Sequence, residues 1–181
     1  MKKILYRKAY RMLNNSTPLR FDCGLLCGSR CCSGGSESGM HLLPGEEIML
    51  RGLFPAPEVR SEELGGMHIS FCVCKGKCDR RFRPLACRIF PLVPFVDGSG
   101  KLQVIEDPRV RYICPLLFNN DGVKLRKIFH RKVYRVFQFL SRDPEIRKYI
   151  EVLSGILMEY ARYTIYPQKT GNCNEKYKTN I

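Results

Sequence analysis

The sequence predicts an α+β protein: a small irregular cysteine-rich metal-binding domain with short strands and a hairpin, packed against a C-terminal antiparallel pair of long helices. Three observations predict it. Nine of the ten cysteines precede residue 115. Two β-prone runs flank Asp97-Gly98-Ser99-Gly100, which is a hairpin signal. From Val123 to Ala161 apolar residues recur every three or four positions, with one interruption at Ser141–Pro144. The expected organisation is a basic helical arm over 1–20, a cysteine-cluster region over 21–118, a helical hairpin packed on it over 119–166, and a polar tail over 167–181.

The elements follow in order. Residues 3–13 predict a short helix with Ile4, Leu5, Ala9, Met12 and Leu13 on one side, stopped by Asn14, Asn15 and Pro18. Residues 21–40 hold four cysteines and a Gly/Ser-rich loop, "SGGSESG". "LPGEEIMLRG" places Pro44, Glu46 and Glu47 where a helix first turn prefers them, with the end near Gly52. "MHISFCV", residues 67–73, predicts a strand, and the stretch from Lys75 to Pro91 an irregular segment. The hairpin spans "LVPFVDGSGKLQVIED". A strong amphipathic helix is expected over Val123–Leu140. A second helix starts at Asp143-Pro144-Glu145, a cap, a preset first residue and an acid at the positive helix end. Ile146, Tyr149, Ile150, Leu153, Ile156, Leu157, Tyr160 and Ala161 form its apolar face.

Hydrophobic residues make up 44% and charged residues 27%, a globular rather than a disordered balance. Thirty-one basic against seventeen acidic residues give a net charge of +14. That charge suits an anionic partner such as an acidic protein, or equally a solvated basic surface. Neither an RNP-type aromatic pattern nor zinc-finger spacing is present, which argues against a dedicated nucleic-acid module. No run approaches eighteen apolar residues, so no membrane span is expected. Arg7, Lys8 and Arg11 interrupt the apolar core that an export signal needs. The expected location is therefore cytoplasmic and reducing, where clustered thiols read as metal ligands rather than disulfides.

The first thiol block is Cys23-x3-Cys27-x3-Cys31-Cys32; Cys72, Cys74, Cys78, Cys87 and Cys114 follow. Ligands three or four residues apart reach one ion from a loop or helical turn, and four thiolates satisfy a tetrahedral metal. Adjacent Cys31 and Cys32 diverge, which suggests more than one metal atom. Setting Cys173 aside leaves nine of the ten thiols, more than one four-thiolate site needs. The count does not distinguish zinc from iron or an iron–sulfur cluster. His41, His68 and His130 lack ligand spacing. Arg83 and Arg88 flank Cys87 and are placed to offset thiolate charge and donate hydrogen bonds to sulfur.

"CGLLCGSRCC", then "LPGEE", then "RPLACRIFP" resembles the YkgJ-type cysteine-cluster family, a zinc- or iron-chelating domain. The resemblance covers residues 21–95. It implies Cys23, Cys27, Cys31, Cys32, Cys78 and Cys87 as ligands, with one of Cys72 and Cys74, and Cys114 as a further member. The chain departs from the pattern in using x3 spacing twice before the paired cysteines. Flagellin lysine-N-methylases carry a similar cysteine pattern. That similarity implies an alternative: iron–sulfur-dependent methyl transfer from S-adenosylmethionine to lysine of a flagellin-like protein. The chain has no GxG loop of a Rossmann-type S-adenosylmethionine site. A further alternative is a basic adaptor for nucleic acid or an acidic protein.

Overall fold

Helix α1 (Lys2–Leu13) buries Tyr6, Ala9 and Leu13, spaced three and four apart along one face. In the computed structural model, which describes residues 1–35, 37–53, 57–76, 83–118 and 124–165, this stripe belongs to the main core. Residues 1–13 are thus part of the packed body rather than an arm. Ile4, expected on the inner face, is exposed, and Tyr6 takes the inner place. Its phenol donates to the Pro44 carbonyl at 2.7 Å, so an amphipathic side chain buries its ring and satisfies its hydroxyl.

Two small antiparallel sheets follow. The first has order β1-β3-β2, from Gly39–His41, Met67–Val73 and Val59–Leu64. Strands β2 and β3 form a hairpin closed at Leu64↔Met67 by Gly65-Gly66, both at positive φ (53° and 78°). Two residues at positive φ give the turn twist that suits adjacent antiparallel strands. The second sheet pairs β4 (Leu92–Val96) with β5 (Leu102–Glu106). Its turn is organised by Asp97, whose Oδ1 accepts from the Ser99 and Lys101 amides at 2.9 and 3.0 Å.

The "EEIM" stretch is only one 3₁₀ turn, Glu46–Met49, where the sequence predicts a helix running to Gly52. Glu46 turns inward, and the turn is fixed by what it bonds rather than by helical extension. Within the segment expected to be irregular lies a short helix, α3 (Leu85–Ile89). Two more short helices, α2 (Gly24–Cys27) and α4 (Pro115–Phe118), carry or follow cysteines.

Helices α5 (Lys127–Leu140) and α6 (Pro144–Ile165) complete the fold. The expected start of α5 at Val123 lies outside the described residues, as do Cys78, Cys173 and the tail after 165. Asp143 caps α6 by accepting from the Glu145 and Ile146 amides at 3.1 and 3.3 Å. The two helices share one core but not a long mutual seam. The nearest backbone neighbours of α5 are α1 and the β4–β5 hairpin; α6 lies on β4 and on the 3₁₀ turn Pro108–Val110. Phe129, Phe137, Leu140, Ile146, Ile150 and Leu157 meet at its centre, each 0–1% exposed. Fully burying such a side chain contributes about 1.5–3 kcal/mol. No cysteine belongs to this cluster.

Candidate functional site

The first thiol block folds as two linked turns. Asp22 Oδ1 accepts from the Gly24 amide at 3.0 Å and starts α2. Gly28 at φ 59° ends it, and Ser29 at φ 58° turns the chain into a 3₁₀ turn, Arg30–Cys32. Cys23 and Cys27 therefore lie one helical turn apart. On a second segment, Cys114 precedes α4, its amide donating to the Val110 carbonyl at 2.9 Å. It is buried with Leu19 and Leu116, and Cys23 packs against that cluster.

These two segments meet. Cys23, Cys27, Cys31 and Cys114 line one pit of about 20 Å³, walled also by Phe90 and Ile113. That is room for about one water-sized sphere. The described cysteines form no disulfide. Among the described residues, no three Cys, His, Asp or Glu side chains converge closely enough to hold an ion as they stand. The pit thus gathers four soft donors around an atom-sized space without a finished ligand cage. The donor chemistry fits zinc or iron.

Cys32 stands beside this group, its Sγ 3.9 Å from that of Cys31. The hydrogen bond shared with Cys31, with the positive charge of Arg83, pushes the Cys32 thiol down to about 6. The same hydrogen bond drives the Cys31 thiol upward, reinforced by burial. The two sulfurs share one hydrogen bond and so titrate as a pair. Burial pushes the Cys114 thiol up as well.

The other sequence-predicted residues are spread further. Cys72 is buried in a separate apolar cluster with Leu42 and Leu50. Cys74 reaches the Gly76 carbonyl at 3.6 Å, and its backbone ties this stretch to the first block: Gly35 N–H donates to the Cys74 carbonyl at 3.1 Å. Cys87 is half-buried on α3, and Cys78 lies outside the described residues. Arg83 acts on Cys32 through its charge. Arg88 donates to the Arg83 carbonyl at 2.7 Å and stacks 4.4 Å over the Tyr10 ring. His41 pairs with Glu62 at 3.0 Å, His130 meets the Val104 carbonyl at 2.9 Å, and His68 is exposed on β3.

Sequence reasoning missed the role of Glu46, read there as a helix-start acid or, alternatively, a carboxylate ligand or general base. It is wholly buried and holds α3 in place by accepting from the Leu85 amide at 2.6 Å. No spacing rule signals that, since its partners lie in three separate segments. No helix among the described residues is long and apolar enough to cross a membrane. The chain matches no protein-family model, no curated protein and no solved structure.

Proposed function

We propose that this chain is a metal-binding protein in which Cys23, Cys27, Cys31 and Cys114 hold zinc or iron. The observation that carries the reading is that thiols from two distant segments line one atom-sized pit. Bound there, the ion supplies a cross-link between the 22–35 turns and the segment leading into α4. The residues themselves do the rest. Gly28, at positive φ, turns the thiol-bearing segment without strain, and Gly24 lets Ser29 pack close against it. Arg83 offsets the negative charge that thiolates accumulate beside Cys32. Closing an incomplete cage on the ion couples binding to local folding.

Elemental analysis of protein purified without oxygen tests this. Cys27→Ser and Cys114→Ser should each lower bound metal, while Cys72→Ala should leave it unchanged, because Cys72 belongs to a different cluster. Unchanged metal in both pit variants would sink the assignment. Colourless protein containing zinc supports a cross-linking ion. Brown protein containing iron and sulfide supports a cluster, and with it the lysine-methylation reading that the resemblance implies.

A further inference from the structure

Beside the thiols the fold leaves a second, larger space. A cleft of about 410 Å³ opens between β1, α3, β4 and the turn Pro108–Val110, with Cys31 in its lining. This is within the range of small-molecule sites, about 300–1,000 Å³. Its walls are mostly apolar, including Phe71, Ile89 and Val93. It reaches the core itself, because Phe137, Tyr149 and Leu153 line it and are 0%, 5% and 4% exposed.

Among the polar residues that line this cleft, with Arg30, Glu37, His41 and Asp107, Tyr149 and Arg109 keep donors that no described residue accepts. Tyr149 makes no hydrogen bond to any described residue, although Tyr6 and Tyr10 of the same core both donate through their hydroxyls. Arg109 gives Nε and Nη2 to the Asp107 carboxylate at 3.0 and 2.7 Å, and its Nη1 donates to no described residue. The two residues are electrostatic neighbours. Burial pushes the Tyr149 phenol well above its ordinary value, so it stays a proton donor. Neither donor is sealed off from solvent, and the Arg109 side chain is 34% exposed, so an acceptor entering the cleft can meet both. Arg and Tyr donors side by side can share one oxygen-bearing group, while Asp107 repels nothing uncharged and tolerates a carboxylate that Arg109 bridges.

We propose that this cleft binds a small molecule with an apolar body and one terminal acceptor oxygen group, a carbonyl or a carboxylate, received by the Tyr149 hydroxyl and Arg109 Nη1. Cys31 lines both the cleft and the thiol pit, which places the bound molecule next to the pit. The two proposed donors are not thiols, so binding is expected whether or not the pit holds an ion.

Three probes that share one body test it on the full chain as purified: 4-phenylbutyrate, 4-phenylbutanamide and 4-phenylbutylamine. Titrations would follow the methyl resonances of Val93 and Leu153. The acid or the amide should saturate at millimolar concentration and the ammonium should not. Tighter binding of the acid identifies a carboxylate head, and equal or tighter binding of the amide a carbonyl. Tyr149→Phe removes one hydroxyl and keeps the ring; it should weaken binding about three- to tenfold with an unchanged thermal midpoint. Arg109→Lys keeps the charge opposite Asp107 but removes Nη1, and should weaken binding in the same range, giving an independent readout if Tyr149→Phe folds poorly. The proposal is overturned if no probe saturates, if the ammonium binds as well as the acid and amide, or if the folded variants retain wild-type affinity.

Discussion

At the scale of single residues, Glu46 shows how one buried carboxylate organises a region. Its Oε1 accepts from the Leu85 amide and the Tyr10 hydroxyl, and its Oε2 from the Leu43 amide at 3.0 Å. Three donors from three segments are thereby satisfied inside a site with no solvent. Glu46→Ala leaves all three without an acceptor. At about 1–3 kcal/mol each, the expected loss is about 3 kcal/mol or more, read from urea unfolding. Burial pushes the Glu46 carboxyl above its ordinary 4.5, against the pull of those donors and of Arg88. The folded state therefore holds this proton more tightly than the unfolded chain does. The contribution from this group is greatest below the ordinary value and declines as pH rises toward the folded one. Unfolding measured from mildly acidic to neutral pH should show that decline in the wild type and lack it in Glu46→Gln. A wild-type profile identical to that of the Gln variant would contradict this.

At the scale of elements, the first cysteine block and the Cys74–Gly76 stretch are held together backbone to backbone. Gly34 sits at φ 78°, and a Cβ there would lie 2.7 Å from the Gly76 nitrogen. That contact is to main chain and cannot yield without moving it. Gly34→Ala should cost about 1–2 kcal/mol for the left-handed backbone alone, with the clash in addition. Hydrogen exchange at the Gly35 amide, which donates to the Cys74 carbonyl, should quicken in that variant. Unaltered exchange would mean that the two stretches are not coupled there. The β4–β5 hairpin and the start of α6 were legible because local chemistry decides them: Asp97 folds its own turn, and Asp143-Pro144 caps its own helix. Strand β2 was not, since its charged, half-solvated residues show no alternation, although Gly65-Gly66 marks its turn.

At the scale of the whole molecule, the apolar core and the thiol pit are separable. The core is built by α1, α5, α6 and the β4–β5 hairpin, and the pit lies against Leu116 and Phe90 on another cluster. A chelator should therefore loosen residues 22–35 and 110–118 while leaving α5 and α6 protected, as followed by hydrogen exchange with mass spectrometry. Loss of protection across α5 and α6 at the same chelator concentration would show one cooperative unit instead.

The sequence by itself determined the local elements and the supply of thiols, because periodicity, caps and turn residues act over a few neighbours. The expected divergence of Cys31 and Cys32 does not hold, since their Sγ atoms lie 3.9 Å apart in the 3₁₀ turn, although Cys31 alone of the two lines the pit. Only the tertiary structure decided which thiols meet. Cys114 joins Cys23 because Leu19 and Leu116 bury together, whereas Cys72 is drawn into an apolar cluster with Leu42 and Leu50. It also turned Tyr149, an apolar-face residue by spacing, into a donor in a cleft. Hydrophobic burial and long-range hydrogen bonds are set by what arrives opposite a residue, and its neighbours in the chain do not carry that information.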